Sequence, residues 1–182
     1  MRRQMFLTSR LAAAVGLLCM TMTSALADPS SAVVNAYIAT SRAPSYHVSS
    51  TNPRTGGSEV DVVNPGKLHM VMSVGESILI GSTMYLKIGG IWRTMDGRGF
   101  STDPDAELRQ MRFHPADFTT TDFGVRVVAG VPYHGYLVTD TKTHTTEKVF
   151  IDAAGRLART EQGGLTKTFT KYGEAVSIQP PM

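Results

Sequence analysis

The 182-residue chain has a single cysteine, Cys19, so it can form no internal disulfide and no cysteine-built zinc site. It also lacks an apolar run long enough to cross a bilayer: the main one, residues 11–22, is too short for a stable spanning helix. An excess of one charge is missing too. The chain has 18 Lys+Arg against 15 Asp+Glu, but residues 1–27 hold three arginines and no acid, which leaves 15 of each. The near-neutral remainder has no electrostatic footprint for nucleic acid, so none is expected as a partner.

Signatures of chemistry are equally scarce. No G-x-S-x-G elbow occurs, and Gly81-Ser82 reads as a hairpin turn. Gly56-Gly57 lacks the Lys-Ser/Thr of a phosphate-binding loop. His69, His114, His134 and His144 show neither H-x-H nor H-x-x-x-H spacing, and His69 is read as lying on the polar face of its strand. Asp103, Asp105 and Glu107 read as charges at a helix start rather than an acid–base pair. No catalytic residue, metal ligand or cofactor is therefore assigned. The chain is read as a non-enzyme, with a hydrolase lacking a recognisable motif kept as an alternative.

What is present begins with an export signal. Arg2, Arg3 and Arg10 precede the apolar run, and Ala25-Leu26-Ala27 is a small-x-small cleavage site. Cleavage after Ala27 predicts a periplasmic protein, or alternatively a secreted one. Leu18 before Cys19 argues against lipidation, and Arg2-Arg3 stands one residue too far from Phe6-Leu7 for a twin-arginine signal. Residues 28–182 are then expected to form one domain held by its core alone.

The centre of that domain is residues 60–92. Asn64-Pro65-Gly66, Val74-Gly75-Glu76, Gly81-Ser82 and Gly89-Gly90 cut it into short runs, too close together for crossover helices. Leu68, Met70 and Met72 alternate with Lys67, His69 and Val71, and Met84, Leu86 and Ile88 with Tyr85 and Lys87. The pattern predicts an antiparallel meander with one buried face per strand. Before it, Asp28-Pro29 starts a helix that places Val33, Val34, Tyr37 and Ile38 on one face and ends at Arg42-Ala43-Pro44. Residues 46–51 form the first strand. A second helix is expected to start at Asp103-Pro104, carrying Leu108 and Met111. Strands resume only after the polar stretch 117–122, with 123–129, 133–139, 147–151, 156–162, 165–172 and a closing 175–178. The expected class is mainly β (α+β), with about ten strands and two helices.

The order of these elements carries a resemblance. Gly81, Tyr85, Lys87, Gly90 and Trp92 stand in the spacing G-x-x-x-Y-x-K-x-x-G-x-W, followed by Gly135-Tyr136, the strand end Phe150-Ile151-Asp152 with its turn at Gly155, and Pro180-Pro181. The chain resembles the LolA-like and LppX-like periplasmic lipoprotein carriers across nearly the whole of residues 28–182. The resemblance implies a curved antiparallel half-barrel with one or two helices covering its concave face, around a cavity for acyl chains. The implied function is a soluble carrier for lipid, lipoprotein acyl chains or another apolar ligand. Implied partners are a lipid or acylated lipoprotein and an inner- or outer-membrane protein. The alternative is an envelope interaction protein whose cavity is filled by its own side chains. Candidate cavity residues are Leu68, Met70, Met72, Ile78, Ile80, Met84, Leu86, Ile88 and Trp92; Val34, Tyr37, Ile38, Leu108 and Met111 are candidates for the helical lid. Alternation alone leaves two faces per strand and does not choose between them.

Overall fold

The computed structural model describes residues 28–54, 56–98 and 115–182. Helix α1 (Pro29–Ser41) begins where the sequence marks it. The Asp28 carboxylate accepts from the Ser31 N–H at 3.3 Å, and Pro29 sits in the first turn, where its missing N–H costs nothing. At the other end the Asn64 side-chain amide donates to the carbonyls of Ser41 and Ala43, tying the helix terminus to the first hairpins.

Eleven antiparallel strands follow in one sheet: β1 (Ser45–Asn52), β2 (Gly56–Val63), β3 (Lys67–Met72), β4 (Gly75–Ile80), β5 (Thr83–Ile88), β6 (Ile91–Asp96), β7 (Phe118–Val128), β8 (Val131–Asp140), β9 (Thr146–Ile151), β10 (Leu157–Gln162) and β11 (Leu165–Thr170). Their order is β6-β5-β4-β3-β2-β1-β11-β10-β9-β8-β7. Each strand thus pairs with a sequence neighbour, except where β1 meets β11 and joins two meanders. The sheet is curved and does not close, a half-barrel with α1 on its inner face.

Three expectations need correction. Residues 118–122 belong to β7 rather than to a loop, because Thr119, Thr120 and Thr121 are β-branched and pair in register with Thr139, Val138 and Leu137. Residues 175–178 form no strand; Ile178 is buried, but by packing and not by a ladder. The buried stripe of α1 is Val33, Ala36, Tyr37 and Thr40, with Val34 and Ile38 packed only partly against the core. The export signal, residues 1–27, and the second helix with Leu108 and Met111 lie outside the described residues.

The main core joins Val33, Ala36 and Tyr37 of α1 to Tyr136, Val138, Val149, Ile151 and Leu157 of β8–β10. A second cluster, Ala43, Tyr46 and Val62, meets it through Phe169. Between β9 and β10 the register slips at Leu157/Arg159, where Leu157 pairs with Ile151 and Ala158 is the extra residue, so Leu157 lies at the edge of a bulge. Its N–H donates to Thr40 Oγ1 at 2.9 Å, and its carbonyl accepts from the Tyr172 hydroxyl at 2.6 Å. Thr40 and Tyr172 also meet, at 3.2 Å. Burial pushes the Tyr172 hydroxyl well above its usual range, which keeps it a donor. The Arg156 guanidinium, paired with Asp152, covers the tyrosine ring at 4.1 Å.

Removing one member of this ring strands a buried backbone group. We expect Thr40→Val, which keeps the shape, to lower unfolding stability by about 1–3 kcal/mol, and Thr40→Ser to restore most of it. Urea unfolding of the two variants checks this, and equal losses would show that the methyl group matters rather than the hydroxyl.

Candidate functional site

Strand register decides which candidate residues meet. Across the first meander, Val60, Met70, Ser77, Leu86 and Arg93 form one row. Tyr46, Val62, Leu68, Leu79, Met84 and Met95 form the next. Paired residues share a face. Tyr46 and Val62 belong to the inner core, so both rows look inward, together with Met72, Ile88 and Ile91, which lie in phase with them.

Of the sequence candidates, Leu68, Met70, Met72, Met84, Leu86 and Ile88 therefore stand on one continuous inner surface. Ile78, Ile80 and Trp92 do not. Ile78 pairs with His69 and Tyr85, Ile80 with Lys67 and Thr83, and Trp92 with Lys87, which sets all three on the outer face. A single residue of phase separates the two sets, since β4 points Ser77 and Leu79 inward.

The inner surface is filled unevenly. Helix α1 rests on β7, β9 and β10, at the far side of the sheet. On β3–β6 Leu79 and Met84 are buried, but Leu68, Met70, Met72 and Leu86 are only half-buried. At the free end Ile88, Ile91 and Met95 are 55%, 65% and 45% exposed. Four methionines, Met70, Met72, Met84 and Met95, and their aliphatic neighbours make a deformable apolar lining. In α1, Tyr37 is buried and its hydroxyl donates to Glu147, while Val34 and Ile38, the other candidates of that helix, flank the core cluster.

The ion pairs of the first meander lie on the other side. On the outer face His47 lies between Asp61 and Glu59 at 2.7 and 2.8 Å. His69 meets Glu76 at 2.9 Å, and Lys87 bridges Glu76 to the Trp92 ring. His134 instead pairs with Asp122 of β7 on the inner face, stacked on Tyr136, and His144 occupies a turn at positive φ. Among the described residues no three His, Cys, Asp or Glu side chains converge as a metal site; His114 lies outside them.

Sequence reasoning missed a hollow of about 450 Å³ on the outer face, lined by Phe123, Arg126, Val128, Leu137, Lys148, Phe150 and Glu161. Its floor depends on Gly135: a Cβ there would stand 2.1 Å from the Phe123 ring, which instead lies edge-on to Phe150. A bulge at Asp122/Gly124 turns Phe123 to that side. No spacing in the sequence announces it.

No family model matches the chain, and no curated protein matches it. Solved structures do. Lipoprotein LppX of Mycobacterium tuberculosis aligns over 82% of this chain and 97% of its own, at 16% identity and a TM-score of 0.63. LprF from Mycobacterium bovis aligns over 84% and 96%, at 18% identity and 0.61. The chain has the LppX-like half-barrel fold. A complex of MucA and MucB from Pseudomonas aeruginosa holds a third likeness, at 13% identity and 0.54, in which this chain spans 58% of the matched chain. At these identities the LppX-like fold is what the likeness establishes.

Two separate ionic clusters set a pH limit. The His69 hydrogen bond and Lys87 hold the Glu76 carboxyl below its ordinary value, and the His134 and Gly124 hydrogen bonds do the same for Asp122. Carboxyls depressed in the folded state add stability above their unfolded values, and this is lost as pH falls through the folded ones. Thermal midpoints should therefore decline from about pH 4.5 downward. Glu76→Gln should flatten that decline at a cost near pH 7 of about 0.5 kcal/mol, the scale of a solvated pair. Midpoints taken from pH 3 to 7 for both proteins check it; an unchanged slope in the variant would remove Glu76 from the account.

Proposed function

We propose that this protein is an exported, non-catalytic carrier that binds a lipid, a lipoprotein acyl chain or a similar apolar ligand on the inner face of the half-barrel. The observation that carries the reading is the unevenness of that face. One half is packed by α1, and the other presents Leu68, Met70, Met72 and Leu86 half-exposed on the same face, with Ser77 the one polar residue between Met70 and Leu86. Contiguous apolar surface of this kind is costly in water, at about 25 cal/mol per square ångström, and acyl chains recover that cost without a directed polar contact. The likeness to lipoprotein LppX and to LprF supports the reading, as does the signal-like segment ahead of Asp28. The periplasm is the proposed location, and residues 28–182 the working unit.

A second reading has its own support. The likeness to MucB in a complex with MucA favours an envelope protein that binds a protein partner, with its inner face filled by its own side chains.

Mass spectrometry of solvent extracts from the protein, purified without detergent, separates the two. A stoichiometric lipid or acylated peptide supports the carrier; an empty protein that also fails to take up a fluorescent fatty acid supports the partner-binding reading. Met72→Arg and Leu86→Arg should each cut fatty-acid uptake at least tenfold, because a cation in an apolar contact has no partner. Val71→Arg, one residue away but on the outer face, should leave uptake intact.

A further inference from the structure

We propose that residues 124–128, the turn-proximal half of edge strand β7, form a docking edge for an extended segment of a partner protein in which apolar and acidic side chains alternate.

β7 ends the sheet order, so one side of it has no neighbouring strand among the described residues. Its first half is protected. Phe118 packs against the core cluster, α1 rests on the strand, and the bulge at Asp122/Gly124 breaks the regular edge. After Gly124 the strand is regular and none of these devices applies.

The backbone of this half is oriented for pairing. β7 and β8 are joined by Ala129-Gly130, both at positive φ (50° and 84°), and a two-residue turn of this kind closes on a hydrogen-bonded pair, here Val128 and Val131. Counting back, Arg126–Tyr133 is bonded, whereas Val127–Pro132 and Val125–His134 are not. Pro132 agrees, since it has no N–H to give Val127. The N–H and C=O of Val125 and Val127 therefore point out of the open edge. The Arg126 guanidinium reaches around to the Val125 carbonyl at 3.0 Å, which shows that this carbonyl is accessible from outside.

Side chains identify the occupant. Val125 and Val127 are 59% and 70% exposed on one face of the strand. Arg126 is exposed on the other, where it lies 5.4 Å from the Phe123 ring and meets no carboxylate among the described residues. An added strand would set apolar residues beside the two valines and an acid beside Arg126. A second copy of this chain fits worse, because antiparallel pairing about Arg126 places two guanidiniums opposite each other.

The test is a fluorescence-anisotropy titration of the purified chain with a labelled heptapeptide alternating valine and aspartate. Saturable binding is expected. Val127→Pro removes an outward N–H without touching the β8 ladder and should weaken binding at least tenfold, with an unchanged circular dichroism spectrum. Arg126→Glu should lose the aspartate peptide at least tenfold and gain affinity for its valine–lysine counterpart. The proposal is overturned by an absence of saturable binding, by either variant binding the aspartate peptide as tightly as the wild type, or by a wild-type dimer that Val127→Pro dissolves, which would make a second copy the occupant.

Discussion

The hydrogen-bonded ring of Thr40, Leu157 and Tyr172 is the constraint from which the arrangement of this protein follows. Leu157 stands beside the bulge in β10, and its buried N–H and C=O, if left without partners, would together cost several kcal/mol. The helix supplies one partner and the segment after β11 the other. Helix α1 is thereby fixed over β7, β9 and β10, where its small residues Ala36 and Thr40 allow close approach. Arg156 and Asp152 seal the ring from outside.

That position leaves the other half of the inner face for something else. Had α1 lain across β3–β6, its Val33 and Tyr37 would have covered Met70 and Leu86, and no apolar surface would have been left for a ligand. The ion pairs of the first meander keep to the opposite face. His47, Glu59, Asp61, His69, Glu76 and Lys87 all lie on the outer face of the first meander, where water screens them and their pairs add little stability. The inner face of β3–β5 keeps no charged side chain, so an acyl chain lying there would desolvate none.

Much of this was legible in the residues. Gly and Pro spacing marked the turns of the first meander, and Asp28-Pro29 marked the start of α1 to the residue, because each feature rests on local geometry. The inward assignment of Met70, Met72 and Leu86 against Ile78, Ile80 and Trp92 was not legible. β4 reads Glu-Ser-Ile-Leu-Ile, with apolar residues in both phases, and only pairing with β3 and β5 selects one. Thr40 was invisible for a different reason: its partners stand more than a hundred residues away, and a threonine in a helix ordinarily signals nothing. Residues 118–122 were misjudged because their threonines look polar, although β-branching suits them to a strand. The outer hollow beside Phe123 depends on an absent side chain, at Gly135, which no pattern of hydrophobicity records.

The openness of the sheet creates a second physical problem. A closed barrel has no edges, but a half-barrel has two, and each presents unpaired backbone groups to any extended chain. β6 carries Arg93 and Asp96, charges of both signs that suit no single partner strand. β7 guards one half with a bulge and the packed helix, yet leaves Val125 and Val127 bare around a lone arginine. An edge open only by neglect would invite indiscriminate pairing, and a like-charged row is the usual remedy. One cation between two exposed valines does something narrower. It repels a second copy of itself while remaining complementary to an acidic strand, which is the behaviour of a selective surface rather than an unfinished one.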